Sequence, residues 1–136
     1  MKQVIIVRKD LKMSPGKTAA QVAQASSMFM MNWFKENCDL SGYAEGVMDK
    51  NILSEWMEGE YTKCILGAKN KSQLLKAMIA AESAGMKENE DFFIIYDNCH
   101  TELEPEEDGR TLTCIGFLPM DSEKIDTITK RYQLYK

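Results

Sequence analysis

The sequence lacks most features that mark fibrous, secreted or membrane proteins. Its 136 residues include only three prolines, and they contain no repeat and no low-complexity tract. No apolar run reaches the ~18 residues that a membrane span requires. The apolar run at residues 4–7 is closed at once by Arg8 and Lys9, which leaves it too short for a secretory signal. With 44% hydrophobic and 28% charged residues, the composition predicts one globular domain over residues 1–136, in the cytoplasm and without membrane contact.

Cysteine and histidine are also sparse, which limits the metal and nucleophile chemistry. The four cysteines form no C-x-x-C pair, so the sequence predicts free thiols rather than a zinc site or disulfides. His100 is the only histidine, and no G-x-S-x-G motif accompanies it. Its neighbour Cys99 is a poor partner, because adjacent side chains in an extended chain point to opposite faces. We therefore predict a loop histidine without a catalytic role.

Signals for phosphate binding are weak as well. Seventeen basic residues against 21 acidic ones give a net charge of −4, so any role on nucleic acid would need a local basic patch. Residues 16–18 read Gly-Lys-Thr, like the end of a P-loop, but Leu11 occupies the position of the required first glycine. No G-x-G-x-x-G motif is present either, which excludes a dinucleotide-binding fingerprint.

Apolar periodicity predicts an α/β protein. Buried strands are predicted at residues 3–8, 61–68, 91–96 and 111–117, and helices at 17–36, 72–84 and 121–130, with a further short helix at 50–57. The buried face of the helix at 72–84 is predicted to carry Leu75, Met78 and Ile79. Because no helix links the third strand to the fourth, the fourth is expected to run antiparallel. The order predicts helices packed around a four-stranded, mostly parallel (mixed) sheet.

One stretch of the first long helix is apolar on nearly every side. Residues 27–34 combine methionines with Phe29, Trp33 and Phe34. Burial explains this composition, either beneath residues 39–59 or in a dimer interface. A flexible, methionine-lined binding groove is the alternative.

Polar residues cluster where the chain leaves the first and third strands. Ligands collect at the carboxyl ends of parallel strands, and Lys17 follows the first strand while Asp97 ends the third. Ser14 is suited to cap the helix that carries Lys17, whose N-terminus favours an anion. Lys17, Gln21 and Gln24 are spaced by four and three and so share one stripe. This stripe is either a site or a solvated face, and Asp97 pairs either with turn N–H groups or with Lys17.

These residues belong to a wider similarity that runs in order along essentially the whole chain. The most specific blocks are residues 7–13 and 16–21, and weaker ones follow at Trp56, Lys63, 97–101, Thr111, 115–116, 125–129 and 134–135. In these blocks the sequence resembles the type II peptidyl-tRNA hydrolases. The resemblance implies a three-layer α/β/α domain with a four-stranded mixed sheet, often dimeric. It also implies hydrolysis of the ester that joins a peptide to the 3′ end of tRNA, with no metal or cofactor.

The resemblance further implies which residues form the site. The catalytic set, carried over by motif position, comprises Lys17, Gln21, Asp97, Thr101 and Thr111. A basic rim and one further polar side chain are expected to contact tRNA, and these are Arg8, Lys9, Lys12, Gln24 and Lys63. In ester hydrolysis a carboxylate can orient water, an ammonium can stabilise the oxyanion, and hydroxyls and amides can donate hydrogen bonds.

Three departures from the family pattern bear on activity. Gln24 stands where the family usually has histidine, and residues 97–101 read Asp-Asn-Cys-His-Thr in place of Asp-Ala-Gly-x-Thr. The loop that follows carries five carboxylates that should repel tRNA, namely Glu102, Glu104, Glu106, Glu107 and Asp108. Two alternatives to an active hydrolase therefore stay open. One is a relative that only binds its partner, and the other is an esterase or amidase acting on a small acyl substrate.

Overall fold

The computed structural model describes residues 1–39, 41 and 46–136. The elements in chain order are β1 (Gln3–Arg8), α1 (Pro15–Asn37), a short π-helix (Ile52–Met57), β2 (Lys63–Ala68), α2 (Lys71–Ser83), β3 (Phe92–Asp97), β4 (Thr111–Phe117), α3 (Ser122–Thr129) and β5 (Gln133–Leu134). The predicted strands and helices are confirmed to within about two residues at their ends. The sequence does not predict the structure of the whole segment 39–59. Within this segment, residues 40 and 42–45 lie outside the described residues. Within the described part, no helix combines the length and apolar character needed to cross a bilayer.

The strands form one mixed sheet in the order β3-β4-β1-β2-β5. Only β1 and β2 pair in parallel; β4 is antiparallel to both β1 and β3, and β5 is antiparallel to β2. The predicted mixed sheet and its antiparallel β4 are confirmed, with two differences. The sheet has five strands where four were predicted, and among the described strands one pair of four is parallel where a mostly parallel sheet was predicted. The direct connection from β3 makes β4 a hairpin partner, and β5 has two residues, too few to show a periodic pattern. Because β1, β2 and β3 still run in the same direction, their carboxyl ends share one edge of the sheet.

Helices cover both faces of the sheet. On one face, α1 and the π-helix bury Ala25, Phe29, Ile52 and Trp56 against alternate residues of β1, β3 and β4. On the other face, α2 and α3 pack on the remaining positions of the strands. Together these layers match the predicted α/β/α sandwich.

The buried face of α2 differs from the prediction. The residues it buries fully are Leu74, Ala77 and Ala81, and Ile79 is 56% exposed. Leu75 and Met78 are partly buried against the core. The helix is apolar at nearly every position between 74 and 81, so the hydrophobic pattern does not fix its orientation. The two alanines allow closer packing on the sheet than bulkier side chains would.

The apolar stretch of α1 is buried in part. Phe29 is 5% exposed and packs edge-to-face on Trp56, with ring centroids 5.9 Å apart. Burial beneath the segment that follows α1 is thus confirmed for Phe29, while Met31 and Phe34 remain 50% and 47% exposed. The helix lies close to β4, because a Cβ on Gly116 would stand 2.5 Å from the carbonyl oxygen of Ala25.

Candidate active site

The carboxyl ends of β1 and β3 bring two charged side chains together across the start of α1. The hydroxyl of Ser14 caps α1 by accepting a hydrogen bond from the Lys17 N–H at 3.2 Å, and Pro15 occupies the first turn, as the sequence predicts. This cap fixes Lys17 in the first turn, next to the end of β3. Asp97 is the last residue of β3.

Lys17 and Asp97 form an ion pair in a largely enclosed position. The Lys17 Nζ lies 2.6 Å from Asp97 Oδ1, and the two side chains are 14% and 10% exposed. The same ammonium donates to the hydroxyl of Thr101 at 3.3 Å. The other carboxylate oxygen, Oδ2, accepts the backbone N–H of Cys99 at 3.1 Å, with Cys99 in the left-handed region at φ +59°. Both pairings that the sequence left open for Asp97 therefore exist at once.

Gln21 completes this cluster from the second turn of α1. Its side chain is buried at 2% exposure, and its Nε2 lies 3.4 Å from Asp97 Oδ1. The interpretation of the polar stripe as a solvated face is therefore wrong for Lys17 and Gln21. Gln24 is the exposed member of the stripe and accepts a long 3.5 Å hydrogen bond from Gln21 Nε2.

Thr113, which the sequence did not single out, fixes the orientation of Gln21. Its buried hydroxyl donates to Gln21 Oε1 at 2.6 Å, so the amide nitrogen of Gln21 faces Asp97. Ile95 pairs with Cys114 and Tyr96 with Leu112, which makes Thr113 the extra residue of a β-bulge. A bulge redirects side chains, and here it turns Thr113 towards α1 beside Cys114. The only signal in the sequence is a polar residue inside an otherwise buried strand.

Thr111 lies in the site without facing the ion pair. It is the register partner of Asp97 and is fully buried. Its hydroxyl donates to the backbone carbonyl of Glu104 at 2.7 Å and lies 3.4 Å from the Cys99 thiol. Because the hydroxyl proton is used by Glu104, Thr111 ties down the loop between β3 and β4 and has no proton left for a substrate in this arrangement.

Two of the predicted rim cations are not exposed cations at this edge of the sheet, because one is buried and the other lies at the opposite end of its strand. Arg8 is 3% exposed, and its guanidinium donates to Asp10 and Glu106 at 2.8–3.1 Å. Burial alone would lower the pKa of Arg8, but its hydrogen bonds to the carboxylates of Asp10 and Glu106 and their negative charges outweigh burial and raise the pKa. Lys63 begins β2 opposite Gln3, about 17 Å along the strand from the carboxyl edge.

The ammonium of Lys63 lies against two aromatic rings. It lies 3.3 Å from the ring centroid of Tyr61 and 4.8 Å from that of Trp56. Partial burial lowers its pKa. These contacts make Lys63 part of the aromatic packing around the π-helix. Lys9 and Lys12 are exposed and lie in the loop between β1 and α1, at the carboxyl edge of the sheet.

Two carboxylates of the acidic loop make contacts within the chain. Glu106 pairs with Arg8 at 2.8 Å and with Lys71 at 3.6 Å, and these contacts, led by the hydrogen bond from Arg8, lower its pKa. Glu102 accepts hydrogen bonds from both the hydroxyl and the N–H of Ser14, which lowers its pKa. Glu102 thus occupies the N-terminus of α1, where the sequence analysis expected a substrate anion.

The remaining candidates for chemistry are the cysteine thiols and the single histidine. All four cysteines are free thiols, as predicted, and burial raises the pKa of Cys114 to about 12. His100 is exposed. Among residues 1–39, 41 and 46–136, no group of three or more His, Cys, Asp or Glu side chains is arranged to hold a metal ion.

Comparison with known proteins identifies the kind of protein that carries this site. A model of the family described as peptidyl-tRNA hydrolase PTH2 matches residues 1–135. A peptidyl-tRNA hydrolase from Thermoplasma acidophilum is 35% identical over 133 residues, covering 98% of this chain and 97% of its own. One from Methanopyrus kandleri is 36% identical and covers 94% and 92%. One from Haloquadratum walsbyi is 35% identical and covers 99% and 100%.

A solved structure of a protein of unknown function from Agrobacterium has the same fold. It superimposes with a TM-score of 0.52 at 11% identity, covering 99% of this chain and 97% of that one, and at this identity it supports the fold alone. Fold, site and sequence together define an α/β protein of the hydrolase type. The chain belongs to the PTH2 family of peptidyl-tRNA hydrolases.

Proposed function

We propose that this chain hydrolyses the ester between a peptide, or an N-blocked aminoacyl group, and the 3′ end of tRNA. The observation that carries the proposal is the enclosed Lys17–Asp97 ion pair at 2.6 Å, in a chain that matches the family over residues 1–135. The substrate is peptidyl-tRNA, the products are free tRNA and the peptide acid, and the role is in translation. The catalytic residues proposed are Lys17, Gln21, Asp97 and Thr101.

The ion pair supports separate roles for its two members, with Asp97 acting on the water and Lys17 on the oxyanion. Asp97 is held by three donors, on Lys17, Gln21 and the Cys99 backbone, so we assign it to orienting the attacking water. The water oxygen bonds to the carbonyl carbon, and the bond from that carbon to the ribose oxygen breaks. One proton of the water ends on the ribose oxygen. Lys17 and the Thr101 hydroxyl stabilise the negative charge that develops on the carbonyl oxygen.

Thr111 and Gln24 have supporting roles in this proposal. Thr111 holds the β3–β4 loop through Glu104 and thereby positions Thr101, rather than donating to the substrate. Gln24 is exposed beside Gln21, where it can contact the terminal nucleotide without titrating as a histidine would. Lys9 and Lys12 are the members of the proposed basic rim that lie on this side of the molecule.

Asp97→Asn tests the proposal on purified protein with N-blocked aminoacyl-tRNA as substrate. The amide keeps the size of the side chain but loses the charge that holds Lys17 and the water. We expect kcat to fall about 100-fold or more. The matched control is Glu107→Gln, which removes an equal charge from a side chain that is 79% exposed and should leave kcat unchanged.

Other outcomes separate the alternatives. No turnover above background by the wild-type protein, with Asp97→Asn indistinguishable from it, would overturn the enzyme proposal and favour a protein that only binds its partner. Turnover that Asp97→Asn leaves unchanged would overturn the role assigned to Asp97. Cleavage of a small N-blocked amino acid ester but not of the tRNA ester would favour a general esterase. The pairing of Glu106 with Arg8 and Lys71 removes part of the argument for either alternative.

We further propose that the protein acts in the cytoplasm and forms a homodimer. The support for a dimer is the family resemblance together with the exposed Met31 and Phe34 on α1. The support for the location is the proposed substrate, which is made where translation occurs.

A further inference from the structure

A second polar pocket lies at the same edge of the sheet as the Lys17–Asp97 pair. It has a volume of about 230 Å³ and opens where β2 ends and β5 begins. Its lining residues are Lys9, Gly67, Lys69, Gln73, Arg131, Tyr132, Gln133 and Leu134. Three of them are cations and none is Asp or Glu. The pocket therefore concentrates positive charge in a chain whose net charge is −4.

The three cations of this pocket are not neutralised by the part of the chain that the structure describes. Within it, ion pairs involve Lys2, Arg8, Lys17 and Lys71, and no carboxylate pairs with a cation of the pocket. This contrasts with Arg8 nearby, which two carboxylates hold. Unpaired cations gathered around one concavity are the arrangement that binds an anion.

The pocket walls are fixed by packing and hydrogen bonds. The aliphatic part of the Lys9 side chain packs over Gly67 of β2. A Cβ added to Gly67 would stand 2.7 Å from the Lys9 Cδ. The Gln73 side-chain oxygen accepts the Lys69 N–H, and the Gln73 carbonyl accepts the Tyr132 hydroxyl at 2.7 Å. The glycine thus makes room for Lys9, and α2 is tied to the chain on both sides of the pocket.

We propose that this pocket binds a backbone phosphate of the tRNA, a few nucleotides from the ester. The inference rests on the proposed function, because it takes the 3′ end of tRNA to lie at Asp97. Neighbouring strands are about 4.8 Å apart, so the ends of β2 and β5 lie about 14 and 19 Å from the end of β3. The unpaired 3′ end of a tRNA can cover that distance in extended form. A phosphate contact of this kind gives affinity and orientation without reading the base sequence.

A triple variant, Lys9→Gln with Lys69→Gln and Arg131→Gln, tests the pocket. The measurement is the Kd for deacylated tRNA against salt concentration, with kcat and KM for N-blocked aminoacyl-tRNA alongside. Loss of one phosphate contact should weaken binding about fivefold at 0.1 M salt and reduce the slope of log Kd against log salt by about 0.7. The matched control changes three exposed lysines away from the pocket to glutamine and loses the same charge, at Lys50, Lys87 and Lys124.

The outcomes distinguish this inference from the proposed function. If the pocket variant and its control bind tRNA equally, the pocket proposal is wrong, even if the wild-type protein cleaves the ester. If only the pocket variant loses affinity and salt slope, the pocket proposal stands, even if no cleavage is seen. Saturable binding of inorganic phosphate to the wild-type protein, with tRNA affinity unchanged in the pocket variant, would mean that the pocket serves a free anion and would overturn the proposal.

Discussion

At the scale of single residues, the side-chain amide of Gln21 links the interior of the sheet to the site. One end accepts the Thr113 hydroxyl at 2.6 Å, and the other faces Asp97 at 3.4 Å. A free amide can rotate and exchange its donor and acceptor ends, which would turn an oxygen towards the carboxylate. Two partners oppose this exchange: the carboxylate of Asp97 can only accept, which favours the nitrogen end, and the hydroxyl of Thr113 donates to the oxygen end. Thr113 is thus a positioning residue for the site.

Thr113→Val should lower kcat about tenfold through the loss of this orientation, which corresponds to about 1.4 kcal/mol. The valine has the shape of threonine, but it leaves the buried oxygen of Gln21 without its donor, at a cost of about 1–3 kcal/mol in stability. Steady-state kinetics should therefore be measured well below the unfolding temperature. Thr113→Ser retains the hydroxyl and should restore kcat.

A double variant checks that Thr113 acts through Gln21. When Gln21→Met removes the amide, adding Thr113→Val should lower kcat no further. Additive losses in kcat would contradict the positioning role and point to a purely structural effect of the threonine.

At the scale of elements, the ion pair between Arg8 and Glu106 connects the loop between β3 and β4 to the end of β1. Arg8 donates to Glu106 at two positions, 2.8 and 2.9 Å, and also to the backbone carbonyl of Leu112. The loop carries Thr101, which contacts Lys17. The Arg8–Glu106 pair therefore holds one wall of the site from the opposite face of the sheet.

Glu106→Gln should make stability less sensitive to acid. The pKa of Glu106 is lower in the folded protein than its ordinary 4.5, so the unfolded chain takes up a proton first as pH falls. The contribution of Glu106 is complete above about pH 4.5 and is lost as pH falls through the lower, folded pKa. At pH 7 the variant should lose about 1–2 kcal/mol, since Arg8 keeps one carboxylate partner.

Urea unfolding measured from pH 7 down to pH 3 checks this expectation. Between pH 5 and pH 3 the free energy of unfolding should fall less steeply for Glu106→Gln than for the wild-type protein. Glu107→Gln is the comparison, because that side chain is 79% exposed and lies 3.8 Å from Lys71. Equal slopes for Glu106→Gln and the wild type would show that the pair with Arg8 does not contribute to acid sensitivity.

At the scale of the whole molecule, the exposed apolar residues of α1 bear on the proposed homodimer. Wild-type protein should elute with about twice the chain mass of 15.5 kDa in size-exclusion chromatography with light scattering. Phe34→Glu places a charge on the proposed interface and should shift the mass to that of a single chain. Ile79→Glu, at a residue 56% exposed on the opposite face, should leave the dimer intact. A wild-type protein of single-chain mass would exclude the homodimer.

The sequence predicts those features of the fold and the site that depend on neighbouring residues better than those that depend on residues far apart in the chain. The sequence predicts β4 with its observed ends because its apolar run is local. Strand direction predicts that Lys17 and Asp97 lie at one edge of the sheet, but it leaves open whether they pair. The bulge at Thr113 and the burial of Arg8 were not predicted. Both depend on contacts between distant segments, since Arg8 meets Glu106 across 98 positions of sequence. The sequence around a charged residue at the end of a strand does not show whether that residue faces water or a distant carboxylate.

The carboxylate of Glu102 at the start of α1 has a consequence for the polarity of the bound RNA strand. Its contacts with Ser14 hold a negative charge at the N-terminus of α1. A polyanion entering from that side would meet this charge before it reached Lys17. Together with the proposed phosphate pocket, this charge leads us to expect that the strand runs from the ester bond across the ends of β1 and β2, with its 5′ direction leading away from the loop between β3 and β4. The protein's own carboxylate would in this way select one of two otherwise similar routes for the acceptor end.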